Sequence, residues 1–494
     1  MGDSWLTKEQ LKVLRRANED EGFRLPIPTQ VISDGEIFPP PQSKQQAMVE
    51  ALLKERAGVL GKQHGLNRRQ FLRTASGMAA AFLAMNDVYG KVFTVDQAEA
   101  ADFEAAGARL AALRDQFIFD AHTHHVHDDY TWEGQLFLLQ YSRGDQEAGL
   151  PSWTGELEGR ELDLKYFKFP HYLCRKKQLL TEDQLVASRN YINGMARTKR
   201  VYAHGTIWPS NQPFLDDMDR QAEELKIDSW KGYTIGDPLG LVPEANFPWR
   251  LDDEKVTYPA YEKAMKYGIK NLCIHKGLLP VDWKSFDNWP YAAVDDVVKA
   301  AKDWPELNFI IYHSGFRAFM DVRQFAEEFE QSGKIPWVDD LAEIPKKHGL
   351  TNVYGEIGLS FASCVTTYPR VAAAMLGRLI QGMGADHVIW GTDSIWFGSP
   401  QWQIDAFRRL DMPMDLQEKF GFAPLGPADS EVKKAILGYN SARMYGLGLT
   451  ADGRPVEAFE KDRLARLRND YLAAGGMRDN IYWGWIHQQD RAPA

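Results

Sequence analysis

Cysteine is scarce: the 494-residue chain has three, Cys174, Cys273 and Cys364, far apart and with no CxxC pair. That excludes a disulfide framework and a thiolate zinc site, so a metal would have to be held by histidine and carboxylate. Long apolar runs are missing too. The longest, Met78 to Met85 (MAAAFLAM), is well short of the roughly 20 residues that a bilayer-spanning helix needs, which argues against an integral membrane segment. Positive charge is not in excess. With 58 Lys and Arg against 68 Asp and Glu, the net charge is −10, and no basic footprint for a nucleic-acid backbone is present. What remains is the composition of a folded globular protein, 44% hydrophobic and 26% charged, without internal repeats or low-complexity tracts. Its length suits one large domain with additions, or two to three domains.

Four stretches follow one another. Residues 1–66 read as an appended arm, two charged helical segments separated by the Pro-rich PIPTQ and PPPQS breaks. Residues 67–100 begin with NRRQFLRTASGMAAAFLAMN, which looks like a twin-arginine export signal, with AEA at 98–100 as a conceivable cleavage site; an ordinary linker helix is the competing reading. A cytoplasmic location follows from the linker reading and a periplasmic one from the signal. Residues 101–450 form the main domain, and 451–494 a C-terminal helix and tail.

From about residue 115, short apolar runs alternate with helical stretches. The runs FIFDAHTH, RVYAHGTIWP, IKNLCIHKG, LNFIIYHSG, NVYGEIG and HVIWGTD read as strands, and strand followed by helix over such a length points to a parallel α/β architecture. Chemistry-bearing residues sit at the C-terminal ends of these runs: His122 and His124, His275, His313, Asp393. In a (β/α)₈ barrel those ends converge on one site, whereas a doubly wound sheet offers only its switch-point crevice. Four separate strands each supplying such a residue favour the barrel. Residues i and i+2 of a strand share a face, so His122 and His124 can grip one ion, while His125 faces away and His127 starts a loop. Taken singly, each feature has a structural explanation; it is their order at successive strand ends that argues for a metal site.

DAHTH at 120–124, IHKG at 274–277, YHSG at 312–315, WGTDS at 390–394 and ILGYNSARMYGL at 436–447 together resemble the amidohydrolase superfamily, in the branch of aminocarboxymuconate-semialdehyde decarboxylase, called amidohydrolase family 2. The resemblance implies a distorted (β/α)₈ TIM barrel, preceded here by the N-terminal arm. It also implies a divalent ion, zinc with manganese or cobalt as alternatives, held by His122, His124, His275 and Asp393. His313 becomes the catalytic histidine, and Asp393 both ligates and accepts a proton. A homodimer is expected from the family as well. The polymerase-and-histidinol-phosphatase type also opens with HxH but ends in Asp-x-His, and Asp393 is followed by Ser394 and Ile395.

Two reactions fit this set. One is hydrolysis of an ester, lactone or amide by metal-bound hydroxide, with His313 shuttling the proton. The alternative is non-oxidative decarboxylation of an aromatic-type carboxylic acid. A non-enzymatic metal-binding scaffold ranks third, because no ligand position is lost. Trp132, Trp208 and Trp396 are candidate walls for a small planar or apolar substrate, and Arg317, four residues past His313, is a candidate for holding its carboxylate. Asp120, Glu356 and Asp128 are candidates to orient the ligating histidines.

Overall fold

The computed structural model describes residues 25–31, 42–124, 181–236, 247–279, 283–285, 287–319, 322–394 and 400–450, with 466, 469, 470 and 473 near the C-terminus. Its centre is a six-stranded parallel sheet: β1 His204–Thr206, β2 Ser229–Tyr233, β3 Asn271–His275, β4 Asn308–Tyr312, β5 Val353–Glu356 and β6 Val388–Ile389, paired in sequential order. At least one helix separates each pair of successive strands, as parallel pairing requires. The expected strand–helix alternation is therefore present. One strand escaped the sequence reading: β2, SWKGY, interrupts its apolar residues with Lys and Gly and has no clean hydrophobic run.

The two faces of this sheet are lined differently. On β3, Leu272 and Ile274 belong to the large outer core under the helices, whereas Cys273 lies in a small inner cluster with Ala121, Ile310, Tyr312 and Ile389. On β4, Phe309 and Ile311 face out while Ile310 and Tyr312 face in. A sheet whose inner residues all meet in one cluster is curled. Closure comes through residues 119–124: Ala121 N–H donates to the Trp390 carbonyl (3.0 Å), Asp393 N–H donates to the His122 carbonyl (2.8 Å), and Thr123 bridges Ser394 in parallel. On the other side, the Phe119 ring lies 5.2 Å from Tyr202, two residues before β1. The segment carrying the histidines is thus the stave between the two edges of the sheet, giving a parallel α/β barrel of the TIM type.

The N-terminal helices are part of the same hydrophobic body. α1 (Lys44–Gln63) starts at a Ser43/Gln46 capping box, α2 (Arg68–Leu72) at an Asn67/Gln70 box, and α3 (Ala75–Tyr89) at Thr74, so each helix end finds its backbone partners locally. The export-like stretch is therefore two capped helices. Gly77 lets them touch: a Cβ there would stand 2.4 Å from the Phe71 carbonyl oxygen. Along α3, Ala79, Ala80, Ala81, Phe82, Ala84 and Met85 are fully buried, within the cluster that also backs the barrel strands. Beyond α3 the chain is stitched to the barrel. Phe93 bridges Leu410, Asp411 N–H donates to the Val92 carbonyl (2.8 Å), and Arg409 pairs with Glu99 (2.7 Å). Among the described residues no helix is long and apolar enough to cross a membrane.

Candidate metal centre

Three side chains from opposite ends of the domain meet at the mouth of the barrel. His122 Nε2 lies 3.0 Å from His124 Nε2 and 3.1 Å from Asp393 Oδ1, and His124 Nε2 is 3.0 Å from the same oxygen. Mutual distances of about 3 Å are what ligand atoms show around an ion with bonds of roughly 2.1 Å. A three-residue group of His122, His313 and Asp393, each offering one atom within 4.8 Å of the others, overlaps with it.

Local backbone explains how these residues reach the site. His122 and His124 lie two apart on the closing stave and share a face, as alternation requires. His313 follows Tyr312, an inward residue, and on a regular strand would point outward; left-handed backbone at His313 (φ 63°), Ser314 (φ 50°) and Gly315 (φ 67°) turns it back. Asp393 is also left-handed (φ 54°). Non-glycine residues seldom adopt this region, and a site is where such strain is usually retained. Gly391 keeps the approach open, because a Cβ there would stand 2.0 Å from Glu356 Oε1 and 2.7 Å from His122 Cβ.

Glu356, at the end of β5, holds the group together. It is fully buried, accepts hydrogen bonds from the N–H groups of His313 (3.1 Å) and Gly358 (2.5 Å), and lies 3.4 Å from His122 Nδ1. A proton on Nδ1 shared with this carboxylate leaves Nε2 free to face the other donors. Asp120 braces the stave to the Asp393 loop: its carboxylate accepts from Thr392 N–H (3.0 Å), Thr392 Oγ1 (2.5 Å) and His122 N–H (3.2 Å). His275 stands beside this group, its Nδ1 3.2 Å from His313 Nε2 and its ring 4.8 Å from Tyr233. Below, the Tyr312 hydroxyl donates to the Ala121 carbonyl (2.6 Å) and lies 3.3 Å from His204 Nε2, and the Tyr312 ring is 4.2 Å from His122.

The donors fit a cation. Asp393 Oδ1 faces two imidazole nitrogens yet is buried and takes no well-formed hydrogen bond from the described residues. Imidazole nitrogen and carboxylate oxygen together suit a borderline divalent ion.

Burial sets the protonation states. It pushes His122, His275 and His313 well below the usual imidazole range, helped by Lys231 and by one another, and lowers His204 to about 4. The same burial raises Asp120 to about 7 and Glu356 to about 8. These shifts have opposite signs in stability. Depressed imidazoles contribute stability that is full above the unfolded value near 6.5 and is lost as pH falls, whereas raised carboxyls contribute most at low pH. Four depressed imidazoles outnumber two raised carboxyls at this site, so as pH falls below the unfolded imidazole value near 6.5 the unfolded chain holds more protons there than the folded one. The chelated protein should then lose stability on acidification below about pH 6.5. Urea denaturation in chelator at stepped pH measures this, and a flat or rising stability toward acid would contradict the buried, neutral imidazoles.

The remaining candidates fall differently. Arg317 pairs with Glu328 (3.3 Å) and lies over the Trp283 ring (5.0 Å), so its guanidinium is already engaged. Trp208 is core: 4% exposed, it donates to the Phe247 carbonyl (3.0 Å) and packs on Phe214. Trp132, Trp396, His125, His127 and Asp128 lie outside the described residues. Sequence reasoning missed His204, Tyr312 and Lys231. Of these, Lys231 left the clearest trace, since Ser229, Lys231 and Tyr233 alternate along β2.

A family model described as amidohydrolase matches residues 178–447. No curated protein matches the chain. Among solved structures, 5-carboxyvanillate decarboxylase from Sphingomonas paucimobilis is 15% identical at a TM-score of 0.33, over 54% of this chain and 72% of that one. The 2,6-dihydroxybenzoate decarboxylase from Rhizobium is 13% identical at 0.32, over 54% and 77%. The dihydroxybenzoic acid decarboxylase from Polaromonas sp. JS666, which has bound manganese, is 12% identical at 0.32, over 54% and 75%.

Proposed function

The chain belongs to the amidohydrolase family, and from that premise we propose that it is a metal-dependent enzyme that releases carbon dioxide from a small carboxylic acid. What carries the reading is the convergence of His122, His124 and Asp393 within about 3 Å of one another. These three, with His275, would hold the ion, and the donor set admits zinc, manganese or cobalt. Bound there, a divalent ion supplies Lewis acidity, drawing charge from a substrate oxygen as the bond breaks.

The protein's own groups handle the proton. In the reaction the bond from carbon to carboxylate breaks, its electron pair stays on carbon, carbon dioxide leaves, and one proton takes its place. With His275 Nδ1–H donating to His313 Nε2 across 3.2 Å, His313 keeps its proton on Nδ1, the buried atom without a described partner. From there it is handed to carbon, the His275 Nδ1 proton moves to His313 Nε2, and one proton from solvent, the one the overall reaction consumes, restores His275. Glu356 holds His122 and the His313 backbone in place meanwhile. Decarboxylation ranks above hydrolysis of an ester, lactone or amide because its leaving group needs no proton. Hydrolysis has to protonate a departing oxygen or nitrogen for its bond to break, whereas decarboxylation calls on the neutral His313 only once carbon dioxide has left, when the acceptor is a strongly basic carbon.

The test is a panel of hydroxybenzoates labelled with carbon-13 in the carboxyl group, run beside neutral aryl esters, lactones and amides. Labelled carbon dioxide should appear, fall at least about 100-fold after chelation, and return with added manganese or zinc. Turnover confined to the esters, lactones or amides would establish hydrolysis instead.

A further inference from the structure

Lys231 is the third residue of β2, in register with Thr206 on one side and Cys273 on the other, and one row beneath the Tyr233–His275 pair. Its Nζ is buried and has no hydrogen-bond partner among the described residues. What it does have is two aromatic faces, with Nζ 3.8 Å from the Tyr312 ring centroid and 4.9 Å from that of Tyr233. Tyr312 also touches His122, and Tyr233 touches His275, so the ammonium sits at the root of the metal-site walls.

Two other buried lysines show how this protein treats an amine that only supports the fold. Lys276 donates to Asp296 (2.7 Å) and to the Tyr291 carbonyl (2.8 Å), and Lys433 donates to the Arg408 carbonyl (2.9 Å). Each has an oxygen. A buried ammonium with only aromatic faces keeps part of the cost of leaving water, and an anion is what removes the rest. The nearby carboxylates have other work, Glu356 on His313 N–H, Gly358 N–H and His122, and Asp393 beside the two imidazoles as a proposed ligand of the ion. Arg317, the cation expected from sequence, is paired with Glu328.

We propose that Lys231 receives the anionic group of the substrate, so that the site selects carboxylates over their neutral isosteres. The inference rests on the metal-dependent reading above and adds to it the residue that recognises the acid.

Salicylate and its neutral counterpart salicylamide are the probes, titrated calorimetrically into the manganese-loaded full chain. The wild type should bind salicylate at least about tenfold more tightly than salicylamide. Lys231→Met should reduce that preference at least about tenfold, with salicylamide affinity and metal content unchanged, and Lys231→Arg should keep most of it. Lys231→Gln repeats the measurement where the methionine variant does not fold. An unchanged preference in the neutral variants, or none in the wild type, overturns the proposal. Carbon dioxide release separates it from the reaction: loss of preference with no acid decarboxylated leaves Lys231 standing and removes decarboxylation. Unchanged kcat/KM for carbon dioxide release in Lys231→Met does the reverse.

Discussion

Replacing His122 and His124 together by alanine abolishes tight metal binding and lowers turnover by about a thousandfold or more. Removing even an outer hydrogen-bond partner of a ligand usually costs roughly 10- to 100-fold in affinity or activity, and this variant removes two ligands. What remains on the proposed ion, Asp393 with His275 or His313, comes from other strands and no longer forms a three-point grip with the closing stave. The fold should survive, because the stave is held by its backbone: Ala121 N–H on Trp390, and Asp393 N–H on the His122 carbonyl, whatever the side chains are. Elemental analysis of wild type and variant purified side by side is the measurement. Equal metal content in the two would end the assignment of this centre.

A chain beginning at residue 101, as cleavage after the AEA triplet would produce, should fail to fold into a soluble protein. It loses Val49, Leu53, Phe71, Leu72, Phe82, Met85 and Phe93, all at 2% exposure or less. At roughly 1.5–3 kcal/mol for each fully buried large side chain, that is on the order of 10–20 kcal/mol, as much as the whole stability of a typical domain. It also strips the Arg409 guanidinium of Glu99 and leaves the backbone at 409–411 without its partners. Expression of this truncation beside the full chain decides the matter. A soluble fragment with normal metal content and a melting temperature within a few degrees of the full chain would mean that the helices are a removable leader. Arg68→Lys/Arg69→Lys, followed by cell fractionation, asks separately whether the pair directs export.

Much of the site was legible because local rules govern it. His122 and His124 share a face by strand alternation alone, and the placement of His275, His313 and Asp393 after apolar runs marks strand ends whatever the rest of the chain does. The missed strand shows the limit of that logic. SWKGY lacks an apolar run because its inward positions, Ser229, Lys231 and Tyr233, face the polar root of the site, and inwardness depends on neighbours far away in sequence. The surroundings of Arg317 were hidden from the sequence for a related reason. Four residues past His313 places it near the mouth, but the helix that follows supplies Glu328, and that carboxylate engages the guanidinium.

By itself the sequence determined the alternation of strand and helix and the pairing of His122 with His124, since these depend on period and spacing. Tertiary structure alone decided that His313 turns inward, through three consecutive left-handed residues. It also decided that Glu356 stands behind His122, and that Lys231 lies among rings with no oxygen partner among the described residues. The physical reason is that the period of a strand sets only which way a side chain points. What it meets there is set by closure of the barrel, which brings residue 122 against residues 356 and 393.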